Sequence, residues 1–177
     1  MDRTRRFEAA TLPHLNSAYN LARWLLRDEH NAQDVVQEAY LRAFRYFDSF
    51  RGGNARAWIM GIVRNACFSW LRAQSHGLEQ LEFDEERDGD LMDPTRSPED
   101  DNPATLLSRK MESGRVNAAI QQLPPMFRET LILRELEDMS YEEIAQIVGI
   151  PIGTVMSRLS RARRQLRTVL SAPEKDN

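Results

Sequence analysis

Residues 76–103 constrain the fold before any helix is placed. This stretch carries 11 acidic residues against 2 basic ones, and it is punctuated by Gly77, Gly89, Pro94, Pro98 and Pro103. Its few large apolar groups cannot bury enough surface to offset the entropy of ordering it. A charge run that repels itself is expected to stay extended or disordered in the free chain. The segment therefore splits the 177 residues into two compact halves, 1–75 and 104–177, each the size of a small domain. It also distorts the overall charge. The whole chain has a net charge of −3, yet residues 1–75 hold 11 basic against 7 acidic groups and residues 104–177 hold 11 against 9. Both halves are basic, so the acidic total does not argue against a nucleic-acid partner.

Several classes are excluded early. Apolar residues make up 41% of the chain, enough for packed cores, but the longest apolar runs are as short as Leu131-Ile132-Leu133 and predict no membrane insertion. Asp2-Arg3-Thr4-Arg5-Arg6 after Met1 offers no apolar signal core, so no secretory signal is expected. A single cysteine, Cys67, fits a reducing cytoplasm. With His14, His30 and His76 scattered, no metal-ligand spacing exists and no cofactor is expected. No nucleophile–base pair, paired carboxylates or phosphate loop points to an enzyme.

Both halves read as helical, and no alternating apolar run bounded by turns suggests a strand. Residues 7–26 carry Leu15, Ala18, Tyr19, Ala22 and Leu25 or Leu26 at helical spacing. A second helix is expected from Asn31, with Asp34 near its start and a stripe of Val36, Ala39, Tyr40, Ala43, Phe47 and Phe50. Arg51-Gly52-Gly53 breaks it. Asn54 is placed to cap a third helix whose buried face is read as Trp58, Ile59, Ile62, Ala66 and Trp70. The second half predicts helices over 105–122, 125–137, 140–148 and 152–170. Pro125 suits a helix opening, and Ser140-Tyr141-Glu142-Glu143 has the form of a capping box. Gly149 fits the left-handed stop between the last two helices, which together make a helix-turn-helix.

The final helix carries the most chemistry. Ile152, Val155, Leu159, Ala162 and Leu166 share one face and are expected in the core. Gly153, Ser157, Ser160, Arg161 and Arg164 point away, with Arg158, Arg163 and Arg167 on the flanks. Small residues admit close approach and arginines reach base edges or phosphates, which suits a helix in the major groove. A basic surface helix that binds nothing is the plain alternative, and the capped helix and Gly turn just before it weigh against that.

In the first half, Asp34, Gln37, Glu38, Leu41 and Arg45 form the face opposite the apolar stripe. Leu41 is an apolar side chain on a charged face, which marks either a protein contact or one stray leucine. On the third helix Trp58, Trp70, Arg64 and Asn65 supply the chemistry that unpaired bases need, rings to stack on and edges to hydrogen-bond. Burial of both tryptophans in the core is the competing reading, and Asn65 is the better base-contact candidate.

These residues resemble a known family. Asp34-Val35-Val36-Gln37-Glu38-Ala39-Tyr40-Leu41-Arg42, Phe50-Arg51-Gly52-Gly53, Ala57-Trp58-Ile59 and Val63-Arg64-Asn65 look like region 2 of the extracytoplasmic-function (ECF) sigma factors of the sigma-70 family. Leu123-Pro124, Phe127-Arg128, Ser140-Tyr141-Glu142-Glu143-Ile144-Ala145, Gly153-Thr154-Val155, Ser157-Arg158-Leu159 and Arg161-Ala162-Arg163 look like their region 4. The resemblance implies an all-α protein of two small domains, region 2 over 1–75 and region 4 over 104–177, joined by an acidic flexible linker over 76–103. It implies that Asp34, Gln37, Glu38, Leu41, Arg42 and Arg45 dock on the β′ clamp helices of bacterial core RNA polymerase, with the β flap as a further contact. Arg51, Asn54, Trp58, Arg64 and Asn65 would open the −10 promoter element and trap a flipped base. Thr154, Ser157, Arg158, Ser160, Arg161 and Arg164 would read the −35 element. The linker would thread the polymerase cleft toward the RNA exit path, and an anti-sigma factor is an expected partner.

Two positions depart from the family pattern. Met156 and Gly61 stand where many members carry basic side chains, which bears on promoter sequence and phosphate contacts. A two-domain regulator of another class, or an enzyme such as a helical nuclease, remains as a competing reading. Cys67 reads as a small buried residue rather than a redox switch.

Overall fold

The computed structural model describes residues 2–75 and 114–172. The first unit runs through α1 (Arg3–Thr11), a 3-10 turn at Leu12–His14, α2 (Leu15–Leu26), α3 (Glu29–Arg45), a 3-10 turn at Phe47–Ser49 and α4 (Ala55–Gln74). The second contains α5 (Gly114–Gln122), α6 (Pro125–Leu131) continued by a π turn over Ile132–Leu136, α7 (Tyr141–Val148) and α8 (Ile152–Ser171). The described residues contain no strand, as the periodicity predicts. The expected linker over 76–103, and the expected helical stretch before Gly114, lie outside the described residues.

Local chemistry explains most boundaries. Asn54 Oδ1 accepts from the Ala57 amide at 3.0 Å and starts α4. Ser140 Oγ accepts from the Glu143 amide at 3.1 Å while Glu143 returns the bond to the Ser140 amide, completing the capping box. Gly149 takes φ 78° and lets the chain turn from α7 into α8. Pro125 sits in the first turn of α6, where its missing N–H costs nothing.

Two boundaries and one buried face correct the sequence reading. Residues 7–26 are not one helix, because Pro13 imposes a 3-10 turn between α1 and α2. Leu15, expected in the buried stripe, is consequently 38% exposed. The next helix is capped by Asp28, not opened at Asn31. Arg27 takes the left-handed φ of 62° that ends α2, and Asp28 accepts from the Asn31 amide at 2.8 Å. On α4 the fully buried residues include Met60, Val63 and Cys67, whereas Trp58, Ile62, Ala66 and Trp70 are only partly covered.

That last difference follows from the packing of the two units, which share one continuous core. The α4 helix is covered on one side by α2 and α3 and on another by α7. At the α4–α7 crossing, a Cβ on Gly61 would meet the Ile147 carbonyl oxygen at 3.5 Å. Within the second unit α6 packs against α8, and its other side meets α2. Every residue from 126 to 133 is buried as a result, including Arg128, Glu129 and Thr130. The Arg128 guanidinium donates to the carbonyls of Gln121 and Leu123 in its own unit and of Leu25 at the end of α2, each at 3.0 Å. Burial depresses its pKa to about 10. Arg128→Met leaves those carbonyls without their donor and is expected to cost about 2–4 kcal/mol, read as a lowered urea midpoint.

Candidate polymerase and nucleic-acid interfaces

The outer face of α3 is open. Asp34, Gln37, Glu38, Leu41, Arg42 and Arg45 are all exposed, and Leu41 reaches 61%. Glu38 and Arg42 form a surface pair one helical turn apart, 3.3 Å between oxygen and nitrogen, which stabilises little. Leu41 is not a stray apolar residue. It rims a groove of about 730 Å³ lined by Leu12, Leu15, Tyr19, Val36 and Phe44 among others. The sequence reading missed Leu12 and Leu15, because only the break at Pro13 turns them outward. Arg3 holds α1 against the end of α3 by donating to Asp48 and to the Phe44 carbonyl, at 3.2 and 2.6 Å. Tyr40 backs the groove, its hydroxyl donating to the Thr11 carbonyl at 2.9 Å, and burial pushes its pKa up to about 12.

The residues expected to face the −10 element are divided. Arg51 is exposed in the Gly52-Gly53 loop, where φ values of 88° and 95° require glycine. Asn65 is exposed on α4 and accepts a 3.3 Å hydrogen bond from Arg64. Trp58 packs into an aromatic cluster, 4.9 Å from Phe50 and 6.1 Å from Phe47 between ring centroids, so much of its ring is committed to the core. Asn54 and Arg64 reach across to the second unit. The Asn54 side-chain amide donates to Glu143 at 3.0 Å. The Arg64 guanidinium clasps both oxygens of Glu129, at 2.8 and 2.9 Å, while lying 4.1 Å over the Phe68 ring.

One further residue joins this row. Arg56, to which the sequence reading gave no role, donates twice to Glu143, at 3.0 and 2.7 Å. The Arg56 hydrogen bonds, supported by Asn54, hold the Glu143 carboxyl down to about 2. Glu129 shifts in the opposite direction, because its complete burial outweighs the opposing effect of Arg64.

On α8, Gly153 and Ser157 are exposed, and Thr154, Ser160, Arg161 and Arg164 are partly exposed. Two expectations differ from the geometry. Ile152, predicted in the core, is 41% exposed and lines up with Met156, 48% exposed, on the outer face. It is the first residue of α8, at the end of the helix rather than along its packed length. Arg158, predicted on the DNA-reading side, is 8% exposed, and its charge lies close enough to influence Glu129. In this arrangement it is buried rather than presented on the outer face.

Capped α7, a left-handed glycine and basic α8 form a helix-turn-helix, and its companion unit bears a separate apolar-rimmed groove. The class is that of two-part helical transcription factors. The family model described as Sigma-70 region 2 matches residues 12–77, and that described as Sigma-70, region 4 matches residues 113–166. The chain is 33% identical over 168 residues to the RNA polymerase sigma-H factor of Pseudomonas aeruginosa, covering 94% of this chain and 86% of that protein. It is 37% identical over 139 residues to the ECF RNA polymerase sigma-E factor of Escherichia coli K12, covering 75% and 70% respectively. The ECF RNA polymerase sigma factor SigE of Mycolicibacterium smegmatis is 33% identical over 159 residues, and the chain spans 59% of that longer protein's length. Among solved structures, the sigma factor RpoE of Bartonella quintana, in complex with the anti-sigma factor NepR, aligns with a TM-score of 0.68 at 28% identity. That alignment covers 96% of this chain and 99% of the other. CnrH in complex with the cytosolic domain of CnrY shares the fold, with a TM-score of 0.65 at 24% identity and coverage of 97% and 91%. The chain belongs to the sigma-70 family, among the ECF sigma factors.

The pH response of the unit contact follows from the two carboxylates. Glu143 has a depressed pKa, so its contribution is present above its ordinary value of 4.5 and is lost only as pH falls toward about 2. Glu129 has a raised pKa, so its contribution is fully present at acid pH and weakens as pH rises. Mild acid should therefore leave the units packed. A carboxyl-carbon NMR titration should find Glu143 ionised at pH 4.5, and a half-protonated Glu143 there would contradict this geometry.

Proposed function

We propose that this chain is an alternative, ECF-type sigma factor that binds bacterial core RNA polymerase and directs it to a particular set of promoters. One observation carries the reading: regions 2 and 4 match in order, on two helical units, over most of the described chain. The domains would run over 1–75 and 104–177, with 76–103 as the tether inside the polymerase. The α3 face, Asp34, Gln37, Glu38, Leu41, Arg42 and Arg45, would meet the β′ clamp helices, and the adjoining groove supports that role because it offers apolar area next to charge. Region 4 would contact the β flap and read the −35 element through Thr154, Ser157, Arg158, Ser160, Arg161 and Arg164. Arg51, Asn54, Trp58, Arg64 and Asn65 would act at the −10 element.

The protein would work in the cytoplasm, where the polymerase is, and would act by recognition rather than by catalysis. Among the described residues no helix is long and apolar enough to cross a membrane, and no cluster of metal-binding side chains exists. The relatives solved with NepR and CnrY support an anti-sigma partner for this chain as well.

The test is binding to purified core polymerase followed by transcription of a genomic promoter pool. Tight binding with a discrete set of new transcripts is expected. Failure to bind core, with specific duplex binding by the free protein, would leave an ordinary helix-turn-helix regulator. Arg161→Ala should weaken −35 recognition by about 10- to 100-fold, as loss of a base or phosphate contact does. Asn65→Ala should leave promoter binding in place and impair strand opening, read by permanganate reactivity of unpaired thymines. Glu38→Ala should weaken core binding, and normal competition against another sigma factor would remove Glu38 from the docking face.

A further inference from the structure

Among the described residues six large apolar side chains stand exposed: Leu12, Leu15, Leu41, Tyr46, Ile152 and Met156. The first three gather at the groove between α1, α2 and α3. Ile152 and Met156 instead occupy the start of α8, 41% and 48% exposed. Four residues apart, they lie one above the other on the same side of the helix. A single exposed apolar residue is ordinary, whereas an adjoining pair on a strongly basic helix marks a contact surface.

The charge of α8 says which partner fits. Its twenty residues include five arginines and no acidic group, a balance complementary to duplex DNA. The arginines are unevenly placed. Residues 152–157 hold no basic side chain, and Arg158, the first, is 8% exposed. Arg161 and Arg164, partly exposed, come later in the helix. In a helix-turn-helix the N-terminal residues of the second helix meet the base edges, and here that end offers Ile152, Met156 and the hydroxyl of Ser157. The Ser157 hydroxyl donates to the Thr154 carbonyl at 3.0 Å, so toward a base it acts as an acceptor. Guanine shows two acceptors in the major groove and is matched by arginine or lysine, which this end lacks. Thymine shows the only methyl group in the groove, and its partner adenine shows an amino donor that suits Ser157.

We infer that Ile152 and Met156 are specificity-determining residues that read thymine methyl groups in the −35 duplex. They set a preference for A·T pairs where the start of α8 enters the groove. This deepens the sigma-factor reading and rests on it. Four residues span about 6 Å of helix and successive bases rise about 3.4 Å, so the two thymines lie within about two base-pair steps of each other. Arg161 and Arg164 act further along, on phosphates or guanine edges. The element is thereby divided into a part read by apolar contact and a part read by charge.

The experiment uses the full chain assembled with purified core polymerase. The holoenzyme first selects −35 duplexes from a random pool. Each thymine of the selected element is then replaced in turn by deoxyuridine, which keeps the base pair and lacks only the methyl. Burying one methyl against an apolar side chain changes affinity about fourfold. Deoxyuridine at two nearby positions should therefore weaken binding by the parent chain about fourfold each. Met156→Ala should lose the sensitivity at one of these positions, and Ile152→Ala at the other. The readout is a coupling between one side chain and one methyl, which general damage to the helix does not imitate. In a repeated selection, Met156→Arg should shift the preferred pair at its position from A·T to G·C.

A selected element without A·T pairs at nearby positions would overturn the inference. So would a sensitivity to deoxyuridine that both alanine variants leave unchanged. Weaker binding of the variants to core polymerase itself, with base preference unaltered, would assign the pair to a polymerase contact and overturn it as well. Failure of the parent chain to bind core would instead remove the sigma-factor reading. The same deoxyuridine comparison, on duplexes bound by the free chain, then decides the methyl contacts.

Discussion

The arrangement of this protein turns on the burial of residues 126–133 between the two units; within that segment Glu129, with no access to water, is clasped by one guanidinium from the other half of the chain. Glu129 lies on α6, where all residues from 126 to 133 are buried. A short helix covered on every side needs apolar neighbours front and back. Here α8 stands behind α6, α2 of the first unit meets its front, and Arg64 of α4 reaches Glu129 on it. The flanking Arg128 donates to the Leu25 carbonyl at the end of α2, and a charged Glu129 would be untenable without Arg64 beside it. Removing either unit would uncover apolar surface that the other buries, so the described halves are complementary surfaces rather than neighbours on a string.

This packing sorts the functional faces. The α3 face and its groove are open to solvent, and the loop carrying Arg51 is too. Arg56 and Arg64 of the α4 row are clasped by carboxylates of the second unit, and Arg158 is buried near Glu129. On the proposed roles, the docking face is open in the free chain while Asn54 and Arg64 of the −10 set are engaged by the second unit.

Much of the fold was legible because local chemistry leaves local marks. Ser140 with Glu143, Gly149 and Asn54 each satisfy a backbone need visible within four residues, and each sits where the sequence reading placed it. The errors lie where a distant partner decides. Asp28 rather than Asn31 opens α3, because Arg27 adopts a left-handed turn that nothing in its side chain announces. Met60, Val63 and Cys67 were passed over because a single-face wheel assumes one packing partner, whereas α4 has them on two sides. Arg56 and Glu143 are 87 residues apart, and in sequence each looks like an ordinary surface charge. Leu41 could be singled out as an apolar residue on a polar face, but the groove it rims exists only because Pro13 turns Leu12 and Leu15 outward.

The central claim is the proposed docking of the exposed α3 face on core polymerase. Amide hydrogen exchange of the free chain and of its complex with core polymerase tests this most directly. The account predicts that α3 amides become protected in the complex. A complex in which α3 exchanges as it does in the free chain would contradict it.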